Sequence, residues 1–382
     1  MSRRPSSAAI RQFILEHVQQ HAGDIVALTA QTFGISRQAA HRHLQRLVRE
    51  QVLQMHGTTR SRRYTLGTRV HWQQQYTLSA DLKEDRLWRA DIRPVLGDLP
   101  GNVLTLWQHG LTEMLNNAIE HSAGRHVVVR AAQTALDTKM TIWDDGEGIF
   151  KKLTRELGLE DERHAVLELA KGKVTTDPEH HTGEGIFFTS RMFDWFSILS
   201  GNVTFSHMRE HAEDWIGDQP STQEGTGVFM ELANHTSRTT KDVFDQFASQ
   251  EDFAFSKTVV PVRLAQYGEE QLISRSQAKR LVAGLDRFKT VLLNFEGVDM
   301  IGQGFADEVF RVWANAHPAI TLEAIHVNAP VAHMIRHAAE IRADAILAAE
   351  GDSITASATC GKSQGEPARR ELSANREDPG RN

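Results

Sequence analysis

The sequence predicts a multidomain protein of mixed α+β and α/β class, built from three modules in a row. Its 382 residues allow about two to four domains at roughly 100–200 residues each. Three short helices and a hairpin come first, a mixed region with several glycines follows, and strands alternate with helices near the C-terminal end. Such an alternation is typical of an α/β layer.

Charge is unevenly distributed along the chain. The net charge is -6, yet residues 1–70 contain eleven Arg, no Lys and three acidic residues, a local balance of +8 that leaves -14 for the rest. A basic module on an acidic body indicates that one end of the chain meets a polyanion.

Composition places the chain among globular proteins, with 40% hydrophobic and 24% charged residues. No apolar run approaches the roughly 18 residues of a spanning helix. We also find no apolar segment of a signal peptide near the start. A single cysteine, Cys360, cannot form an internal disulfide. We therefore expect a cytoplasmic protein that does not enter a membrane.

The first module has the element order of a winged helix-turn-helix. Two amphipathic helices are followed by a third helix with a serine cap, and then by two short strands around a basic loop. The predicted elements are helices at 8–22 and 24–33, a helix that begins after Ser36, and strands at 52–55 and 63–66.

The third helix carries a polar face opposite its apolar stripe, at about 100° per residue. Arg and Gln side chains on such a face suit bidentate contacts with base edges in a major groove, and arginines of the hairpin suit phosphates. A winged helix that binds protein instead of DNA is the alternative. The predicted DNA-binding residues are Gln38, His41, Arg42, Gln45, Arg60, Arg62 and Arg63.

The strongest local signal in the middle of the chain is the pair Glu113 and Asn117. On a helix, residues four apart share a face. The Asn117 carbonyl oxygen can ligate Mg²⁺, and Glu113 can orient or deprotonate an attacking group. Taken alone, the pair also fits the polar edge of an ordinary amphipathic helix.

Three glycine-containing motifs follow this pair. A carboxylate at a strand end can accept a hydrogen bond from the amine of adenine, and glycines let the backbone approach closely. Free N–H groups at the start of a helix suit phosphate oxygens. A threonine hydroxyl before the last strand can reach the adenine side. The motif residues are Asp144, Gly146 and Gly148, then Gly183 and Gly185, and finally Thr226.

In this order, the four motifs resemble those of the GHKL superfamily, which includes gyrase, heat-shock chaperone ATPases, histidine kinases and the MutL proteins. The resemblance spans residues 101–235 and implies a Bergerat-type α/β sandwich that binds ATP and Mg²⁺. It places the ATP lid at residues 150–182. Within the lid, Lys171 and Lys173 either touch phosphates or are solvated.

The chemistry that follows ATP binding is left open by the motifs. Glu113 looks like the residue of the ATPases and of the anti-sigma-factor serine kinases, whereas typical histidine kinases carry Asn there. No helix pair with a phosphoacceptor histidine precedes Glu113 in the sequence. An autophosphorylating histidine kinase is therefore disfavoured.

The C-terminal module resembles the STAS-like fold of anti-anti-sigma factors, on the basis of residues 291–298 and 301–308. In those factors, the loop between strand and helix carries a phosphorylated serine. Here that loop reads Gly302, Gln303 and Gly304, so phosphorylation at this place is not expected. The module is either a regulated switch or a docking or dimerisation domain, and both a protein partner and a homodimer are open.

Together, the modules predict a DNA-binding transcriptional regulator whose DNA or partner binding is switched by ATP. The alternatives are a serine/threonine kinase of the anti-sigma type that acts on a separate partner, and a weak ATPase in a defence or repair complex. The predicted domains are a winged helix-turn-helix at 1–68, a connector at 69–100, the GHKL domain at 101–250, the STAS-like domain at 254–340 and a disordered tail at 341–382.

Overall fold

The computed structural model describes residues 6–58, 61–79, 81–175, 182–211, 213–248, 255–266 and 270–339. These residues form an N-terminal block of helices and a hairpin, a central block around an antiparallel sheet, and a C-terminal block around a parallel sheet. The tail predicted at 341–382 lies outside the described residues. Within the described ranges, no helix has the length and apolar character needed to cross a bilayer.

Local capping determines where the N-terminal helices begin and end. Ser6 and Ser36 each accept a hydrogen bond of 3.1 Å from the backbone N–H three residues later. Gly34, with φ at +61°, closes the second helix in the left-handed conformation that glycine adopts easily. The elements are α1 (Ser7–His17), α2 (Ile25–Phe33), α3 (Arg37–Arg49), β1 (Leu53–His56) and β2 (Arg63–Leu66).

This N-terminal block has a hydrophobic core of its own. Helix α1 ends at His17, short of the predicted residue 22, and a turn over residues 18–24 leads into α2. Strands β1 and β2 pair antiparallel. The core is formed by Ile10, Ile14, Leu15, Val18, Ile25, Leu44, Leu47, Val52, Leu53, Tyr64 and Leu66.

The central sheet has five antiparallel strands in the order β3-β4-β5-β7-β6. Every second residue of β5 is buried, which is the pattern of a sheet with one face covered. The strands are β3 (Val70–Thr77), β4 (His126–Gln133), β5 (Asp137–Asp144), β6 (Trp195–Met208) and β7 (Glu213–Ala233).

Residues 69–100 were predicted as a connector in which a strand could lie near residues 72–78. In the structure they are part of the central block. Strand β3 pairs along the whole of β4, and the helical stretch that follows buries Leu87, Trp88 and Ile92 in the same core. The sequence signal is weak because β3 is an edge strand with a run of glutamines, and much of it is exposed.

Seven helices among the described residues accompany the central sheet. The longest, α6, packs an apolar stripe that includes Leu106, Trp107 and Leu111 on the sheet, and it widens into a π turn at Asn117–His121. The helices are α4 (Glu84–Leu87), α5 (Arg93–Leu96), α6 (Gly101–Asn116), α7 (Ile149–Leu157), α8 (Glu162–Lys171), α9 (Gly185–Met192) and α10 (Thr240–Phe247).

The C-terminal block alternates strands and helices, as the sequence predicts. Its three strands are parallel, in the order β10-β9-β8. A last helix occupies residues 329–339. The other elements are β8 (Lys257–Pro261), α11 (Arg275–Val282), β9 (Thr290–Asn294), α12 (Gln303–Asp307), α13 (Ala314–Ala316) and β10 (Thr321–Ile325).

The central and C-terminal blocks share one continuous core. Lys171, predicted to be solvated or near phosphates, is 1% exposed and lies between the two blocks. Its ammonium nitrogen is 2.5 Å from Glu168 Oε1, 2.8 Å from Arg280 O and 3.0 Å from Ala283 O. Both interpretations of Lys171 were wrong, because its ammonium group is bonded to the end of α11. The sequence does not show that α8 and α11 meet.

We expect Lys171→Met to destabilise the protein by about 3–5 kcal/mol, because it leaves the Glu168 carboxylate buried without its ammonium partner. The double variant Lys171→Met/Glu168→Leu should recover most of this loss, since a buried ion pair replaced by apolar groups is often neutral. Urea unfolding of the three proteins measures both effects. A double variant as unstable as the single one would contradict the ion-pair explanation.

Candidate functional site

A cavity of about 160 Å³ lies where α6, the end of β5 and the start of α9 meet. Its walls come from sequence segments far apart in the chain. Apolar walls are formed by residues that include Met114, Ile142, Ile198 and Val228. Six of the eight predicted nucleotide-binding residues line it: Glu113, Asn117, Asp144, Gly183, Gly185 and Thr226.

Asp144 ends strand β5, opposite Thr226 in β7. The residue is 5% exposed, and its Oδ1 accepts hydrogen bonds from Gly146 N (2.9 Å) and Thr226 N (3.2 Å). Burial raises the pKa of Asp144 to about 6, and the two backbone hydrogen bonds oppose that rise. The Asp144 carboxylate is therefore a buried hydrogen-bond acceptor that two backbone N–H groups fix in place.

Gly146 and Gly148 lie behind this wall and do not line the cavity. A Cβ at Gly146 would overlap the carbonyl oxygen of Ser122. Gly148 has φ at +91°, and a Cβ there would be 2.6 Å from Ser200 Oγ. These two glycines therefore let the backbone after Asp144 pack closely against Ser122 and Ser200. This packing fixes the turn that follows Asp144.

Thr226 connects the sheet to helix α7. Its hydroxyl oxygen accepts a hydrogen bond of 3.0 Å from Ile149 N, at the start of that helix. The residue is largely buried and borders the cavity beside Asp144. Because the hydroxyl accepts this bond, its own hydrogen can be donated to a ligand.

Glu113 and Asn117 lie one turn apart where α6 ends, and both border the cavity. A Cβ at Gly185 would overlap Glu113 Oε2, so glycine at the start of α9 allows the carboxylate to lie against that helix terminus. The π turn that begins at Asn117 is of a kind frequent at functional sites.

The predicted lid contributes six described residues to the cavity: Lys152, Leu153, Leu169, Val174, Thr175 and Thr182. Gly183, with φ at +71°, packs against Val174, whose N–H donates to Gly183 O at 3.1 Å. A side chain at Gly183 would collide with the backbone of Val174. Residues 176–181, also within the predicted lid, lie outside the described residues.

Lys152 and His121 are among the cavity residues that were not predicted from the sequence. Lys152 Nζ donates to the carbonyl oxygen of His121 at 3.0 Å, and both residues border the cavity. The sequence signal for Lys152 was its position four residues after Gly148. In the structure, Lys152 N bonds Gly148 O, so the lysine lies one turn into α7. Lys173, singled out instead, donates to Arg287 O of the C-terminal block.

The charged groups among the described cavity residues are mostly acidic. Glu113, Asp144 and Glu184 contribute carboxylates, and Lys152 contributes an ammonium group. Burial raises the pKa of Glu184. A polyanionic ligand in this cavity requires additional positive charge, such as a metal cation.

The predicted DNA-binding residues lie on α3 and the β1-β2 hairpin. Arg62 Nη1 lies 2.8 Å from His41 Nε2, so the hairpin touches α3. Both of these residues are partly buried, and Arg60 lies outside the described residues. The exposed members of the set are Gln38, Arg42, Gln45 and Arg63.

The glycines of the loop at 302–304 have a packing role. Gly302 N donates to Leu272 O at 2.8 Å, and a Cβ on Gly302 would lie 2.8 Å from the Cα of Ile273. Gly304 also lies close to Ile273. The space that a side chain would need at Gly302 is thus taken by the neighbouring segment.

Two known family models match the chain, one within the central block and one within the C-terminal block. Residues 78–205 match the family model described as a histidine kinase-like ATPase domain. Residues 277–332 match the model described as a STAS-like domain of unknown function (DUF4325). No curated protein matches the chain. The chain therefore contains a histidine kinase-like ATPase domain of the GHKL type, followed by a STAS-like domain.

Proposed function

We propose that this chain is an ATP-responsive, DNA-binding regulator. The observation that carries the nucleotide part is the meeting of Glu113, Asn117, Asp144, Gly185 and Thr226 around one cavity in a histidine kinase-like ATPase domain. The DNA part rests on the basic N-terminal block, whose element order is that of a winged helix-turn-helix.

In the proposed complex, adenine lies among the apolar residues near the sheet, and its amine donates to Asp144 Oδ2. Asp144 Oδ1 is already held by two backbone N–H groups. The phosphates lie towards the start of α9, where the first backbone N–H groups of the helix have no helical partners. Lys152 is the described cavity residue best suited to pair with a phosphate oxygen.

The donor set fits a magnesium ion that arrives with the nucleotide. Among the described residues, no three His, Cys, Asp or Glu side chains cluster as a metal cage. Mg²⁺ usually keeps several waters and binds through a few protein oxygens plus substrate phosphates. We assign the Asn117 amide oxygen to it. The acidic lining also favours a ligand that brings its own cation.

Glu113 is the proposed general base, for water or for a protein hydroxyl. Its carboxylate lies at the start of α9, where the phosphates are placed. A kinase of the anti-sigma type is the second candidate, because Glu113 and a STAS-like domain occur in one chain. An ATP effect on DNA binding requires that ATP bind two states of the protein with different affinities.

We expect Asp144→Asn to weaken ATP binding by about 1–3 kcal/mol. With the retained oxygen facing Gly146 N and Thr226 N, the new amide would present a donor to the adenine amine, also a donor. Titration calorimetry measures the loss. The matched control is Asp145→Asn, because Asp145 bonds Arg125 and His126 outside the cavity.

The same assignment predicts a pH dependence. Because the pKa of Asp144 is raised to about 6, ATP affinity should fall as pH drops through that value and the acceptor becomes protonated. Protonation of ATP itself affects wild type and Asp144→Asn alike. The difference in ATP affinity between the two proteins should therefore change near the pKa of Asp144. Parallel pH profiles would show that Asp144 does not bind the adenine.

Glu113→Gln should still bind ATP but lose about 10²- to 10⁴-fold in turnover, the range for a general base. Asn117→Ala should instead lose Mg²⁺-dependent binding. Phosphate release and transfer from labelled ATP to added protein are measured side by side, and transfer would favour the kinase. Equal turnover in wild type and Glu113→Gln would show that Glu113 is not the base.

Arg63→Ala in the full chain should weaken binding to all duplexes about equally and reduce the slope of log affinity against log salt by about 1. Arg42→Ala should cost about 1–3 kcal/mol on a selected site and little on random DNA. Arg11→Ala is the control, since Arg11 pairs with Glu50 at 2.6 Å. Absence of DNA binding at roughly 50 mM salt would make the N-terminal block a protein-docking module.

A further inference from the structure

The segment at 169–175 contacts both the nucleotide cavity and the STAS-like domain. Leu169, Val174 and Thr175 border the cavity. Between them, Lys171 and Lys173 bond the C-terminal block. Within seven residues, the chain thus forms part of the cavity wall and part of the interface between the two domains.

The first attachment is Lys171. Its ammonium group donates to Arg280 O and Ala283 O at the C-terminal end of α11, where a helix leaves carbonyls without helical partners. In the opposite direction, Thr258 Oγ1 donates to Lys171 O at 2.7 Å. Both the side chain and the backbone of Lys171 are therefore held by the STAS-like domain.

The second attachment is a reciprocal pair of bonds between Lys173 and Arg287. Lys173 Nζ donates to Arg287 O at 3.1 Å, and Arg287 Nη1 donates to Lys173 O at 2.8 Å. The ammonium group also lies 4.9 Å from the ring centre of Phe288. Arg287 itself is exposed, so its guanidinium group is not needed to fill the core.

The backbone of Lys173 is in a conformation that is unfavourable for a residue other than glycine. Gly172 has φ at +84° and Lys173 has φ at +58°. A positive φ is uncommon for a lysine and persists only where surrounding contacts hold it. The turn directs the next residue, Val174, into its bond with Gly183 O at the cavity.

We propose that Arg287 is a positioning residue of the nucleotide site, supplied by the STAS-like domain and acting through Lys173. The described residues that line the cavity all lie between 113 and 228, so Arg287 acts indirectly. By holding the carbonyl of Lys173, it keeps Val174 against Gly183. Binding linkage then requires that a nucleotide in the cavity stabilise the contact with Arg287 in return. This inference rests on the proposed ATP binding.

The test compares ATP affinity in Arg287→Ala, Arg287→Lys and Arg275→Ala of the full chain by titration calorimetry. Arg275→Ala is the matched control, because Arg275 pairs with Asp307 inside the STAS-like domain. We expect Arg287→Ala to bind ATP about 3- to 10-fold more weakly, the effect of one lost hydrogen bond. Arg287→Lys, which keeps a donor for Lys173 O, should recover part of the loss, and Arg275→Ala should bind as wild type does.

A second measurement separates positioning from folding. The thermal midpoint of Arg287→Ala should stay close to that of wild type, and ATP should slow amide exchange in residues 271–288 of wild type more than in the variant. Unchanged ATP affinity in Arg287→Ala, or equal losses in Arg287→Ala and Arg275→Ala, would overturn the inference and leave ATP binding intact. A wild-type protein that does not bind ATP would remove the proposed function and this inference with it.

Discussion

The ammonium group of Lys171 is a positive charge in the interior, and the arrangement of two domains depends on how it is satisfied. A buried charge is costly unless it is paired and hydrogen-bonded. Glu168 balances it, and the carbonyls of Arg280 and Ala283 accept its hydrogen bonds. Helix α11 needs donors at its end, and Lys171 needs acceptors. Separation of the domains would therefore leave polar groups of both without partners, in addition to exposing their shared apolar core.

Asp144 is a second buried charge, at the proposed nucleotide site. Burial disfavours the ionised form of Asp144, while the N–H groups of Gly146 and Thr226 favour it. The ionised carboxylate is thus retained as an acceptor for a ligand, and its burial lowers the stability of the unliganded protein. Thr226 bonds both the Asp144 carboxylate, through its N–H, and Ile149 N, through its hydroxyl oxygen. Ile149 begins helix α7, which carries Lys152. One small set of bonds thus positions both Asp144 and Lys152 on the walls of the cavity.

Local rules were enough to predict several parts of this structure. The serine cap of α3, Gly34 after α2 and the alternation of the C-terminal block gave the correct elements, because capping and periodicity are properties of nearby residues. The spaced motifs predicted six residues that meet at the cavity.

Other parts depend on tertiary contacts that the sequence does not reveal. The sequence allows a strand near residues 72–78 but does not show that β3 pairs with β4 at the edge of the central sheet. Lys171 reads as solvated because nothing near it in sequence reveals α11. Lys152 lies four residues after Gly148, but only the position of α7 in the structure shows that this lysine borders the cavity.

The position of strand β5 constrains how a nucleotide can affect the N-terminal block. Asp144 lies at the C-terminal end of β5. Ala135 and Leu136 immediately precede its N-terminal end and pack against the separate N-terminal core. The strand is bonded on both sides, so it is stiff along its roughly 27 Å. In the regulator that we propose, a shift of this sheet would therefore move the N-terminal block relative to the rest of the chain. Residues 1–70 carry +8 and the remainder -14, so such a shift would change how near the acidic remainder lies to a bound duplex. Under that proposal, electrostatic repulsion would supply the difference in DNA affinity between two states that an ATP switch requires.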